Sequence, residues 1–175
     1  MWADASALAG APVADPWQDL RAIVDALVTA MCRHPVVAPL LPERFAAGEA
    51  SLDLGERALG VLTRLGFDAH HAADLAKWLL SSAMALVVSQ PGIAIPDRQE
   101  RDRVARTKRG ALLALPPDRY PLTIAAADAF TDCEDPAGYI ALGVELLIGG
   151  VRATAPATVG MAVVDDDRTR EEEDR

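Results

Sequence analysis

The apolar residues of this 175-residue chain recur at steps of three and four rather than two. Each apolar stripe marks one face of a helix, and the stripes follow one another from about residue 16 to residue 154. Proline, glycine or a capping aspartate stands at the ends of the stripes, where helices begin and stop. No segment shows the period-two alternation of a half-buried strand. The pattern predicts an all-α bundle of about seven helices.

Local signals set the expected ends of the helices. Asp15, which precedes a proline, is expected to cap the first helix, and Pro35 to end it. Ser51 and Asp68 are expected to cap the third and fourth helices, with a left-handed Gly66 between them. The other predicted elements are a short turn over 36–41 and helices over 97–115, 120–130 and 136–154.

The chain is expected to form one folded domain over 15–155. The small, weakly patterned residues 1–14 predict a disordered lead-in, and the acidic residues 156–175 predict a disordered tail. The net charge is −9, to which residues 165–175 contribute seven acids against three arginines. A body of that sign repels phosphate, so these residues alone are not expected to bind nucleic acid.

The predicted location is the cytoplasm, without membrane association. The N-terminus lacks the basic and apolar regions of a secretory signal. The long uncharged stretch Trp78–Pro96 contains three serines and ends its helix at Pro91, well short of a membrane span. Cys32 and Cys133 are far apart, which is typical of buried small side chains in a reducing compartment, although a disulfide between them is the open alternative.

Two helices are apolar around most of their circumference, one over 69–89 and the last over 136–154. The last contains four glycines, which lower helix stability unless another backbone approaches closely, and Glu145 indicates that this approach happens in water. Pairing the two helices across a twofold axis would form an intersubunit four-helix bundle; a monomeric bundle is the alternative. The expected dimer-interface residues are Leu79, Leu86, Val87, Tyr139, Leu142, Gly143, Leu146, Leu147 and Gly150.

Other candidate chemistry is sparse. His70, His71 and Asp74 have a spacing that could hold a transition metal, but no further strong ligand is evident nearby, which favours a solvated first turn of a helix. The basic run over 98–109 is interleaved with acids and indicates a solvated face, with contact to DNA or an acidic partner as the alternative. No nucleophile motif or phosphate loop is present, so we predict no catalytic residues, metal, cofactor or enzymatic activity.

Five short segments follow one another along the chain: Trp17-Gln18-Asp19-Leu20, Arg33-His34-Pro35, Leu65-Gly66-Phe67, Arg119-Tyr120-Pro121 and Leu142–Gly150. Each alone is a helix stop or an apolar stripe. Their order and spacing together resemble the C-terminal domain of TetR-family regulators, in particular the branch of the tetracycline repressors. The resemblance covers residues 16–155 and implies a helical sensor domain that dimerises through its last long helices. Such a domain holds a small molecule and repositions an N-terminal helix–turn–helix.

The chain departs from this family in two respects. Only about fifteen residues precede Trp17, too few for a helix–turn–helix, so this polypeptide alone is not expected to bind operator DNA. A fragment of a longer chain, a start assigned late and a natural sensor without a DNA reader are equally open. The histidine and the acidic residue of the magnesium–tetracycline site also have no counterparts here, so a magnesium–drug complex is not expected.

The resemblance implies a mainly apolar effector pocket in which Lys77 and Ser81 are the few polar contacts. Such a lining suits a hydrophobic or aromatic effector, with or without one acidic group. In the alternative, the same side chains pack together and leave no pocket. The implied ligand-binding residues are Val24, Val28, Phe45, Ala58, Leu62, Ala73, Lys77, Leu80, Ser81 and Met84.

Three functions are compatible with these features. The favoured one is the ligand-sensing, dimerising domain of a TetR-type regulator, a homodimer that binds a small hydrophobic effector and reaches DNA only through a separate helix–turn–helix domain. The second is a stand-alone helical protein that binds a hydrophobic small molecule. The third is a dimerisation module with a filled core.

Overall fold

The computed structural model describes residues 1–34, 48–90, 95, 97–131 and 135–156, and every regular element in these ranges is an α-helix. The all-α prediction is therefore confirmed. The predicted turn over 36–41 and the predicted tail from residue 157 onward lie outside the described residues. The helices are α1 (Trp2–Ala9), α2 (Pro16–Arg33), α3 (Glu49–Arg64), α4 (Ala69–Val88), α5 (Arg98–Leu113), α6 (Pro121–Ala125), α7 (Ala127–Thr131) and α8 (Pro136–Thr154).

Most helix ends follow the predicted local signals. Asp15 caps α2 by accepting a hydrogen bond from the backbone N–H of Trp17 at 2.9 Å. Asp68 caps α4 by accepting from two backbone N–H groups of its first turn. Gly66 has a φ of 92°, in the left-handed region that glycine adopts without a steric penalty, and it turns the chain between α3 and α4.

Two local predictions differ from the structure. The expected disordered lead-in contains α1, because Ala5 and Ala9 are small enough to pack into the core beside α2 and α3. Ser51 does not cap α3, which begins two residues earlier at Glu49. The Ser51 side chain is buried and its hydroxyl donates to the carbonyl of Gly48 at 2.6 Å.

The centre of the bundle is α2, which contacts α1, α3, α4 and α8. Its apolar stripe supplies many of the fully buried side chains, and the contiguous core draws on α1 to α4 and α8. By contrast, α5, α6 and α7 pack mainly against one another, and no residue of α5 is buried. The tightly packed part of the molecule is therefore the α1–α4 and α8 bundle.

Gly143 allows α8 to lie close against α4 of the same chain. A Cβ atom at this position would fall 2.6 Å from Leu86 Cδ2, closer than such atoms approach in proteins. A role for Gly143 and Leu86 in a dimer interface was expected from sequence. In the structure these two residues contact each other within one protomer. The glycine at position 143 is thus explained by the close approach of α8 to α4 within the same protomer.

Candidate functional site

A groove of about 530 Å³ opens between α3 and α4. The α4 wall is built from positions three or four residues apart, which share one face of that helix. Most of the wall is apolar, and its two polar side chains lie one turn apart on α4. The described lining residues are Gly55, Leu59, Ala73, Ala76, Lys77, Leu80 and Ser81.

The structure brings together four of the residues predicted to bind a ligand: Ala73, Lys77, Leu80 and Ser81. Three others are buried in the core, because the stripes of α2 and α3 face each other there: Val24, Val28 and Leu62. The half-buried Ala58 and Met84 pack against this core and are not among the described lining residues. Phe45 lies outside the described residues. That the four lining residues bind an effector stays a prediction.

Sequence reasoning missed Gly55 and Leu59, which form the α3 wall of the groove. It selected Ala58 and Leu62 instead, a stripe turned by roughly 60° around the helix. The available signal was Gly55 itself. A glycine inside a helix lowers its stability, and its missing side chain leaves room beside α4.

The polar rim of the groove lies on α4. Lys77 Nζ is 2.7 Å from Asp74 Oδ1, and this hydrogen bond lowers the pKa of the Asp74 carboxyl. Asp74 does not line the groove; it lines a shallow depression of about 440 Å³ on the outer side of α4, beside Trp78. Lys77 and Ser81 border both hollows. The lysine therefore stands on the ridge between the groove and the outer surface.

The first turn of α4 carries two exposed histidine–aspartate pairs. His71 Nδ1 is 2.9 Å from Asp68 Oδ2; this hydrogen bond lowers the pKa of Asp68 to about 2 and raises the pKa of His71. His70 lies 3.5 Å from Asp74. Within the described ranges, no three side chains of the metal-binding types come together. The geometry is that of a capped, solvated helix start.

No residue of the basic helix α5 is buried, and most of its residues are exposed. Two of its arginines have acidic partners: Arg103 pairs with Glu100 at 2.5 Å, and Arg109 pairs with Asp128 of α7. Such exposed pairs contribute little to stability. The first lies within α5, and the second links α5 to α7. This arrangement agrees with the solvated helix face that the sequence predicts for this segment.

A second feature is an exposed apolar face on α4 and α8. Trp78, Leu142 and Leu146 are 71%, 61% and 68% exposed. Large apolar side chains that are exposed together on a surface mark interaction sites. Two predicted interface residues, Leu79 and Val87, are buried in the core of the protomer and cannot meet a partner. Leu147 is half-buried against the same core, like Leu86. The predicted positions that stay accessible are Tyr139, Leu142, Leu146 and Gly150.

Among the described helices, α8 is long and apolar enough to cross a bilayer by length and composition, with a mean hydropathy of 1.3. Only 17% of that segment is buried in the protomer. Two contacts link α8 to α2: a 2.6 Å ion pair between Arg21 and Glu145, and the Arg152 guanidinium over the Trp17 ring. These contacts are those of a helix packed on a bundle, and a single apolar helix is weak evidence for a membrane span.

An all-α bundle with an apolar groove between two helices and an uncovered apolar face has the architecture of a ligand-binding, dimerising domain. The chain matches the tetracyclin repressor-like C-terminal domain over residues 9–155 and belongs to that family. In TetR regulators this domain binds the small-molecule effector and forms the dimer. No curated protein sequence matches the chain.

Solved structures of TetR proteins from Streptomyces coelicolor share the fold. The transcriptional regulator SCO7222 is 24% identical with a TM-score of 0.63; the match covers 88% of this chain and 73% of that protein. ActR in complex with actinorhodin is 20% identical with a TM-score of 0.68 over 87% and 72% of the two chains. ActR in complex with (S)-DNPA is 22% identical with a TM-score of 0.65 over 83% and 67%.

Proposed function

We propose that this domain senses a small hydrophobic effector held in the groove between α3 and α4. The groove volume of about 530 Å³ carries the proposal, because sites for drug-sized ligands fall in the range of roughly 300–1,000 Å³. An apolar wall with a few polar groups is also the usual lining of such sites. The ActR structures, which contain actinorhodin or (S)-DNPA, support an effector role for this fold.

The proposed active form is a homodimer joined through the outer faces of α4 and α8. The support is the exposed apolar surface on these helices, centred on Trp78, Leu142 and Leu146. Apolar area removed from water stabilises an interface by roughly 25 cal/mol per Å² before the cost of association. A twofold axis through this face would place α4 and α8 of each copy against their equivalents.

We assign DNA reading to a helix–turn–helix domain and not to the helices described here. The net charge of −9 opposes binding of phosphate, and the exposed basic residues of α5 are interleaved with acids. We also infer that the domain catalyses no reaction. The described groove lining contains no carboxylate, histidine or cysteine that could act as a base or nucleophile. A DNA-directed sensor of this kind would work in the cytoplasm.

The test uses phenylnaphthylamine, an uncharged hydrophobic dye whose fluorescence rises in apolar sites. Ala73 is exposed and lines the groove, so Ala73→Trp would fill the groove without disturbing the core. Ala129→Trp on α7 makes the same change at another exposed position and serves as the matched control. We expect saturable dye binding to the wild type and to Ala129→Trp, and its loss in Ala73→Trp. Equal binding by all three proteins would refute the groove as the effector site.

A further inference from the structure

The groove carries a positive charge at one point of its rim. Among its described lining residues, Lys77 is the only cation, and Ser81 follows it one turn later on the same face of α4. Within the part of the chain that the structure describes, the Ser81 hydroxyl has no hydrogen-bond partner. A lysine and a serine with an unbonded hydroxyl therefore lie one turn apart on the same, mainly apolar wall.

The present partner of Lys77 holds it only loosely. The Lys77 and Asp74 side chains are 74% and 50% exposed, and exposed ion pairs contribute little free energy. Asp74 lies on the outer side of the ridge, whereas Lys77 borders the groove as well. Because the lysine stem is flexible, its ammonium can leave the carboxylate and turn toward a ligand without disturbing the core.

A bound apolar molecule would change the surroundings of this ammonium. It would displace water from the groove, and the effective dielectric constant beside Lys77 would fall. In these surroundings the attraction between the ammonium and a negative group becomes stronger, and an ammonium without such a partner is destabilised. A ligand that brings its own negative group supplies such a partner, with Ser81 as a second donor.

We infer that the effector is an anionic amphiphile, an aromatic or polycyclic body with one carboxylate, sulfonate or phenolate, and that Lys77 selects it by its charge. This inference rests on the proposed function of the groove. Asp74 acts as the competing anion: it holds Lys77 when the groove is empty and is exchanged for the ligand group on binding. Lys77 and Asp74 are thus specificity-determining residues, and neither is needed for the apolar part of binding.

The experiment compares two dyes of similar shape, uncharged phenylnaphthylamine and anionic anilinonaphthalene sulfonate. For each dye, the groove-bound signal is the part of the fluorescence titration that Ala73→Trp abolishes. The variants are Lys77→Gln, Asp74→Asn and Arg106→Gln, of which the last removes one positive charge from an exposed site on α5. Retention of the wild-type melting temperature shows that each variant is folded.

The wild type is expected to prefer the anionic dye. Lys77→Gln should weaken the anionic dye by about threefold to tenfold relative to the neutral dye, which is the loss expected for a partly exposed charge-assisted contact. Asp74→Asn should strengthen the anionic dye by about twofold, because Lys77 loses its competing partner. Arg106→Gln should leave the ratio of the two affinities unchanged.

An unchanged ratio in Lys77→Gln, or an equal fall in Lys77→Gln and Arg106→Gln, would overturn the anionic-effector inference while the neutral dye still reports a working groove. If Ala73→Trp removed none of the wild-type signal for either dye, the proposed function itself would be overturned instead. The two failures are therefore distinguishable in one set of titrations.

Discussion

The Asp19 carboxylate of α2, which is fully buried, accepts a hydrogen bond from Arg57 Nη2 of α3 at 2.5 Å. The same guanidinium donates to the carbonyl of Gly10, just beyond the end of α1, at 2.6 Å. Arg64, two turns further along α3, reaches the other Asp19 oxygen at 2.7 Å. Three helices are thus joined at one buried charge whose hydrogen bonds are supplied by two arginines.

Replacement of Arg57 should destabilise the fold much more than replacement of Arg64. Arg57→Gln leaves a buried carboxylate with one partner and the end of α1 without its donor, at a cost of about 3 kcal/mol. Arg64 has a 44% exposed side chain, so Arg64→Gln should cost about 1 kcal/mol or less. Urea unfolding followed by circular dichroism measures both values. Equal losses would contradict the central position of Arg57.

Gly143→Ala should lower stability by forcing Leu86 out of its present rotamer. The added methyl would lie 2.6 Å from Leu86 Cδ2, and overpacking of this kind costs about 2 kcal/mol, which exceeds the gain of up to about 1 kcal/mol from replacing a helical glycine by alanine. Gly60→Ala on α3 is the control, since nothing lies within 4 Å of its Cβ position and the helix gains up to about 1 kcal/mol. Adding Leu86→Ala to Gly143→Ala should remove the clash, which a double-mutant cycle would detect as coupling. Additive effects of the two changes would speak against this contact.

Leu146→Glu should separate the dimer without unfolding the protomer. Leu146 is 68% exposed in the single chain, so the charge is harmless there. In a twofold interface each copy would bury one unpaired carboxylate, at a cost of about 3 kcal/mol or more. Leu122→Glu, at an 83% exposed position on α6, is the control and should stay dimeric. Analytical ultracentrifugation reports the mass; a dimeric Leu146→Glu protein would exclude this face as the interface.

The Asp68–His71 pair should make the stability of α4 depend on pH at two limits. The pKa of Asp68 is lowered from 3.8 to about 2, so its contribution is complete above pH 3.8 and is lost as the pH falls toward 2. The pKa of His71 is raised above 6.5, so its contribution is complete below pH 6.5 and is lost as the pH rises through the raised value. The stability difference between wild type and Asp68→Asn should therefore be greatest between pH 3.8 and 6.5.

Asp68→Asn is chosen because asparagine also caps helices, so that the change isolates the charge. Proton NMR titration of His71 provides a second readout. Its pKa should fall in Asp68→Asn because the hydrogen bond to the carboxylate, the main cause of the upward shift, is lost. A His71 pKa that does not move in this variant would show that the pair is not formed in solution.

Much of the fold could be predicted because helix formation is local. Caps such as Asp15 and Asp68, the left-handed turn at Gly66 and three- and four-residue apolar steps act within a few residues of the chain. The failures occurred where packing overrides local preference. A segment of 8 residues, too short to be a stable helix alone despite its alanines, becomes α1 because Ala5 and Ala9 pack against α2 and α3.

The candidate site could be predicted only in part. The α4 positions Ala73, Lys77 and Ser81 followed from helical spacing combined with the family resemblance. The α3 wall was misplaced by roughly 60° around the helix, because the apolar pattern of a helix does not show which of two adjacent stripes faces the core and which faces a groove. The same ambiguity put the buried Leu79 in the expected dimer interface and left the exposed Trp78 out.

The amino-acid sequence by itself determined that the chain is helical, where most of its helices begin and end, and which family it belongs to, since these depend on short-range spacing and on order along the chain. The tertiary structure alone decided which apolar stripes are core, groove or free surface. That choice depends on how helices distant in sequence rotate against one another. The roles of Gly143 and Asp19 depend on Leu86 and Arg57, which are distant in sequence and cannot be identified from local patterns.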